Sequence, residues 1–265
     1  MGKSILVPHD FTEVGDYAIE HAYMIGKASK NPIHLIHIVK HNNEIETAKE
    51  KLQKIADKFS EGKDIEIVID IRKGSIFKEI YKYGLEINAY LAVMGTHGIK
   101  NIKKAMKVVK NFEKIPFILV QSPVIFGEYS KIVSPIDADK SSRIKMQWIK
   151  YLNTLFESKA YIITYTESDK YKAASLASNL KFASNWFERE LIDYEFINFD
   201  SKKNFADEMY SFAHSIEADI ILVMAQNYRS YIKELKKGEN IELYKKIPIM
   251  CVNKRTDIHR IGGFN

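Results

Sequence analysis

Two short clusters in the sequence hold residue types from which a ligand site can be built. Pro8-His9-Asp10 closes an apolar run that begins at Ser4, and Gly95-Thr96-His97-Gly98 closes another at 91–94. Glycines at 95 and 98 permit positive φ and close backbone approach, so their amides can face an anion at the start of the next helix. Lys100 follows, within reach of phosphates held at such a turn. Each feature also has a plainer reading. Two glycines three apart suit any tight strand-to-helix turn, and Asp after a strand suits a turn or a helix cap.

Other chemistry finds less support. His9, His41 and His97 fall at or just beyond the ends of apolar runs, and three imidazoles can bind zinc. Their long-range spacing matches no compact ligand motif, so no metal site is predicted. His34 and His37 have opposite strand parity, so they face different layers. Ser75, Ser122 and Ser134 lack the Gly-x-Ser-x-Gly elbow, and no nucleophile–base pair stands out. No catalytic residue is assigned, and a non-enzymatic role is expected.

The elements that must position these clusters occur twice. Ser4-Ile5-Leu6-Val7-Pro8-His9-Asp10 is matched 127 residues later by Lys131-Ile132-Val133-Ser134-Pro135-Ile136-Asp137. Leu91-Ala92-Val93-Met94 is matched by Ile221-Leu222-Val223-Met224, and the run from Lys114 to Val120 by the run from Lys246 to Val252. Three matches in one order indicate a tandem duplication. The expected domains are 1–122 and 130–253, joined by a short Pro/Gly-marked connection. In the first, apolar runs at 4–8, 33–39, 65–71, 90–94 and 117–120 suit parallel strands buried on both faces. Between them, Ile45, Ala48, Leu52, Ile55 and Phe59 recur at helical spacing, Gly62 marks a stop, and Gly74-Ser75 precedes the next helix. The fold class is therefore α/β, as two tandem doubly wound five-stranded parallel-sheet domains. Ligands of such sheets bind outside the carboxyl ends of the strands, where both clusters would lie.

Pro8-His9-Asp10 together with Val93-Met94-Gly95-Thr96-His97-Gly98 resembles the universal stress protein family, as two family domains in tandem. The resemblance implies an adenine nucleotide alpha hydrolase-like fold and a role in stress response. Some members bind ATP through a strand-end Asp, a residue ending the second strand, and Gly-x2-Gly-x9-Gly-Ser/Thr. On that resemblance Asp10, Val39, Gly95 and Gly98, with Lys100 beside them, form a candidate adenine nucleotide site. The motif is incomplete, because Val108-Val109 stands where Gly-Ser is expected. In the second domain Ala225 and Tyr228 replace the first two glycines, and Gly238 is followed by Glu239, whose charge opposes a triphosphate. The leading expectation is a non-catalytic stress-response protein acting through partner binding. The alternatives are an ATP-binding switch using the first domain alone and a basic adaptor for an acidic partner.

The basic-adaptor reading rests on Lys100, Lys103, Lys104, Lys107, Lys110 and Lys114, which share one helix face opposite Ile102, Met106, Val109 and Phe112. A solvated face explains them as well, and neither a nucleic-acid motif nor aromatic interleaving accompanies them, so nucleic acid is disfavoured as a partner. The formal charge of +6, from 40 Lys and Arg against 34 Asp and Glu, divides evenly between the halves and excludes a charged tail as its source. One cysteine, Cys251, lies in an apolar run and reads as a buried thiol. No stretch reaches the roughly 18 apolar residues of a membrane span. A soluble, cytoplasmic protein is expected, with a homodimer and an unidentified protein as its candidate partners.

Overall fold

A computed structural model describes residues 4–97, 105–110, 115–125, 127–200, 203–235 and 247–254. Among the described residues, the chain divides into two compact units, 4–125 and 127–254.

The first unit runs β1 (Ser4–Pro8), α1 (Glu13–Ser29), β2 (Ile33–Val39), α2 (Ile45–Ser60), β3 (Ile67–Lys73), α3 (Ile76–Glu86), β4 (Ala89–Gly95) and β5 (Phe117–Val120). Its strands are parallel, in the order β3-β2-β1-β4-β5. The chain first builds outward from β1 to β3, then crosses back to β4. β1 is therefore the switch strand, and a crevice opens beyond its carboxyl end. Burial on both faces explains the unbroken apolar runs: Ile5, Leu6, Val7, Leu91, Ala92 and Val93 are fully buried.

α2 begins at Ile45 and ends at Ser60, and Gly62 takes the positive φ of 67° that turns the chain away. β3 starts at Ile67, two residues later than its apolar run suggests, because pairing with β2 begins at Ile33 opposite Ile67. Its polar end is a protected sheet edge. Arg72 bonds Asp70 at 2.7 Å, pairs with Glu86, and lies 4.6 Å from the centre of the Tyr83 ring.

The second unit repeats the plan with β6 (Lys131–Pro135), α4 (Ile144–Phe156), β7 (Lys159–Tyr165), α5 (Lys170–Arg189), β8 (Tyr194–Phe199), α6 (Phe205–Ser215), β9 (Ile220–Met224), α7 (Ala225–Leu235) and β10 (Ile249–Val252). The strand order β8-β7-β6-β9-β10 matches that of the first unit. Cys251 is fully buried on β10, and burial pushes its thiol far above the usual range. Among the described residues no helix is long and apolar enough to cross a membrane.

Candidate ligand site at the carboxyl ends of β1, β2 and β4

After Pro8 the chain must leave the sheet and enter α1 within four residues. Phe11 takes φ 63°, an αL conformation uncommon for a bulky residue, and Thr12 caps α1 by accepting from the Gly15 amide at 3.4 Å. His9 holds this turn from inside. Its ring is buried against Gly15, where a Cβ would stand 2.7 Å from Nε2. Nδ1 accepts from the Phe11 amide at 3.0 Å, so Nε2 carries the proton and donates to Asp16 Oδ1 at 3.1 Å. Burial lowers the pKa of His9 despite Asp16, so the ring is a neutral bracket rather than a free base. His37 Nδ1 donates to the His9 carbonyl at 2.8 Å, and its ring packs 4.1 Å from that of Phe11.

Asp10 stands next to this bracket with its carboxylate outward. Thr12 Oγ1 donates to Oδ1 at 2.6 Å and His97 Nε2 to Oδ2 at 2.8 Å. Burial alone would raise the Asp10 pKa, but the Thr12 and His97 bonds outweigh it and hold the carboxyl below its usual range. Gly95, at the end of β4, admits no side chain: a Cβ would lie 2.5 Å from the Val14 carbonyl oxygen. Thr96 then closes the strand by bonding the Val120 carbonyl at 2.9 Å.

These groups surround a cavity of about 230 Å³. Its polar lining comes from Asp10, His37, Thr96 and His97, with Gly95 beside them. Its walls are apolar, from Ile36 and Ile38 on β2, Ile76 and Ile80 on α3, and Ala105 and Val108 on the helical segment at 105–110.

Of the residues expected from sequence, Asp10 and Gly95 meet at this cavity. Val39 does not line it; its carbonyl accepts from Gly74 at 3.1 Å, and the preceding β2 residues face the space instead. Gly98 and Lys100 lie outside the described residues. Val108, where the motif would place glycine or a hydroxyl, is buried and contributes only an apolar wall. In the lysine face, Lys107 and Lys110 are exposed while Lys100, Lys103, Lys104 and Lys114 lie outside the described residues. His9 and His97 bond different carboxylates, and among the described residues no group of three or more His, Cys, Asp or Glu could hold a metal.

Thr12, Gly15 and His37 also shape the site. Thr12 carries a legible signal, a capping residue directly before a helical period. Gly15 and His37 have none, since their parts depend on where the His9 ring packs.

The same place in the second unit is filled. Asp137 Oδ1 accepts from the Asp139 amide at 3.0 Å and from Ser142 Oγ at 2.6 Å, and Oδ2 accepts from Asn227 Nδ2 at 2.8 Å. Asn227 can reach because α7 starts at Ala225, directly on the last residue of β9, with no glycine turn between. Ile136 replaces His9 and is buried. Behind it Lys145 is 1% exposed, with Nζ on the Pro135 carbonyl. Burial pulls its pKa down to about 8, against the Asp137 charge that raises it.

The family model described as the universal stress protein family matches residues 1–111. No curated protein matches the chain in sequence. The fold is shared with solved structures over nearly its whole length. A universal stress protein from Archaeoglobus fulgidus superposes with a TM-score of 0.71 at 16% identity, covering 96% of this chain and 97% of its own. A protein from Pseudomonas aeruginosa, described as functionally unknown, superposes with a TM-score of 0.62 at 12% identity, covering 96% and 93%.

Proposed function

We propose that the chain, whose residues 1–111 match the universal stress protein family, is a non-catalytic stress-response protein with one nucleotide-type site, in its first unit, acting through partner binding. The observation that carries this reading is the contrast between two equivalent aspartates. Asp10 borders an open cavity beside Gly95, whereas Asp137 is bonded by Ser142 and Asn227 with a helix start in place of the glycine turn.

The cavity suits the base and sugar of an adenine nucleotide better than its phosphates. Apolar walls take a flat ring, and the Asp10 carboxylate accepts from hydroxyls. At about 230 Å³ it is smaller than the roughly 300–1,000 Å³ of common ligand pockets. Val108 supplies no donor to a phosphate oxygen. Adenosine should therefore bind about as well as Mg-ATP in calorimetric titration, and Asp10→Ala should weaken both. No heat from either ligand at millimolar concentration, with folded protein, would end the reading. A role for the site in recruiting a partner follows if ligand changes which proteins the purified chain retains.

A further inference from the structure

We propose that the second unit carries a separate anion site, for a small phosphate monoester, in the hollow between the 3-10 turn Lys140–Arg143 and α5. The hollow measures about 550 Å³ and is bordered by Lys140, Arg143, Ser175, Ser178 and Asn179.

The two cations sit three residues apart on one turn, and neither forms an ion pair among the described residues. Arg143 is nevertheless held in place. Its Nε donates to Asn179 Oδ1 at 2.8 Å, one terminal nitrogen donates to Ser178 Oγ at 3.0 Å, and its plane lies 4.6 Å from the centre of the Phe182 ring. Asn179 is itself fixed: it is 2% exposed, and its Nδ2 donates to the carbonyls of Asp137 at 2.8 Å and Asp139 at 3.1 Å. The guanidinium is thus oriented by neutral acceptors, and its other amino group keeps its donors for a ligand. Ser175 lies one helical turn before Ser178, on the same face of α5.

The nearby carboxylates bond elsewhere and pair with neither Lys140 nor Arg143 among the described residues. Asp139 is bonded by the Ser141 amide at 2.9 Å, by Gln226 at 3.2 Å and by Lys254 at 3.0 Å, and Asp137 by Ser142 and Asn227. A planar guanidinium, an ammonium and hydroxyls converging on one hollow match a tetrahedral dianion. The hollow exceeds a bare phosphate ion, leaving room for a small esterified body. It is a single depression, not a groove tracking a polyphosphate backbone, which disfavours a nucleic acid strand.

The test is calorimetry on the full chain with phosphoserine and with inorganic phosphate, at ionic strength fixed by chloride. Phosphoserine should bind, Lys140→Ala should weaken it by about tenfold, and Arg143→Gln should weaken it further. Asp10→Ala should leave phosphoserine binding unchanged while weakening adenosine binding, which separates this site from the cavity of the first unit. Lys140 is exposed and its side chain forms no hydrogen bond or ion pair among the described residues, so its variant decides the matter if Arg143→Gln unfolds. Absence of phosphoserine binding at about 10 mM, or binding that Lys140→Ala leaves intact, overturns the proposal.

Discussion

His97 Nε2 donates to Asp10 Oδ2 across 2.8 Å, tying the loop after β4 to the loop after β1. The bond spans the switch in strand order, where the fold concentrates its ligand chemistry. It also means that a ligand hydroxyl meets a carboxylate already bonded by Thr12 and His97. In His97→Ala, Asp10 should titrate at higher pH than in the parent, because a bond that lowers its pKa is gone. Carboxyl NMR across the acid range would show this. An unmoved titration would mean that the His97 bond does not hold the Asp10 pKa down.

Gly95 is required by contact, not by φ. In Gly95→Ala the new methyl meets the backbone oxygen of Val14 at 2.5 Å, so α1 or β4 must shift. The expected loss is about 1–3 kcal/mol, seen as a melting temperature lower by several degrees, with weaker ligand binding. An alanine variant as stable as the parent would refute the close approach.

His21 makes the first unit acid-sensitive. Burial lowers its pKa to about 4, while Nε2 holds the Ser122 carbonyl at 3.1 Å. The unfolded chain then binds the proton first, so stability is intact above the ordinary histidine value and falls as pH drops toward 4. The loss amounts to about 3 kcal/mol by the lower limit. Denaturant midpoints should slope through this window in the parent and less in a His21→Gln variant. Equal slopes would contradict the assignment.

Lys145 loads the second unit with a buried cation. Its pKa of about 8 lies below the unfolded value, so the penalty is absent in strong base, grows as pH falls toward 8, and is full at pH 7. Lys145→Met should therefore stabilise the protein at pH 7 by about 2–3 kcal/mol, an advantage that disappears above the unfolded lysine pKa. Destabilisation at pH 7 would instead show that the bond to the Pro135 carbonyl outweighs the desolvation.

The fold was legible because the inner strands β1, β4, β9 and β10 are buried on both faces, which leaves unbroken apolar runs that repetition then made unmistakable. Asp10 and Gly95 were legible as types because strand-end turns need them. Their companions were not. Val39 ends β2 as its run suggested, but which neighbouring residues reach the cavity depends on the parity of the strand and the packing of α3. The closure of the second site by Asn227 could not be read from the missing glycines alone, since it requires α7 to begin on the last residue of β9. The hollow at Lys140 and Arg143 joins the turn after β6 to the middle of α5, more than thirty residues away in sequence.

The most direct test of a single working nucleotide-type site is the stoichiometry of adenosine binding in the parent, Asp10→Ala and Asp137→Ala proteins. One site per chain, lost in Asp10→Ala and kept in Asp137→Ala, is the predicted result. Two sites per chain, or binding that fails with Asp137→Ala and survives Asp10→Ala, would contradict it.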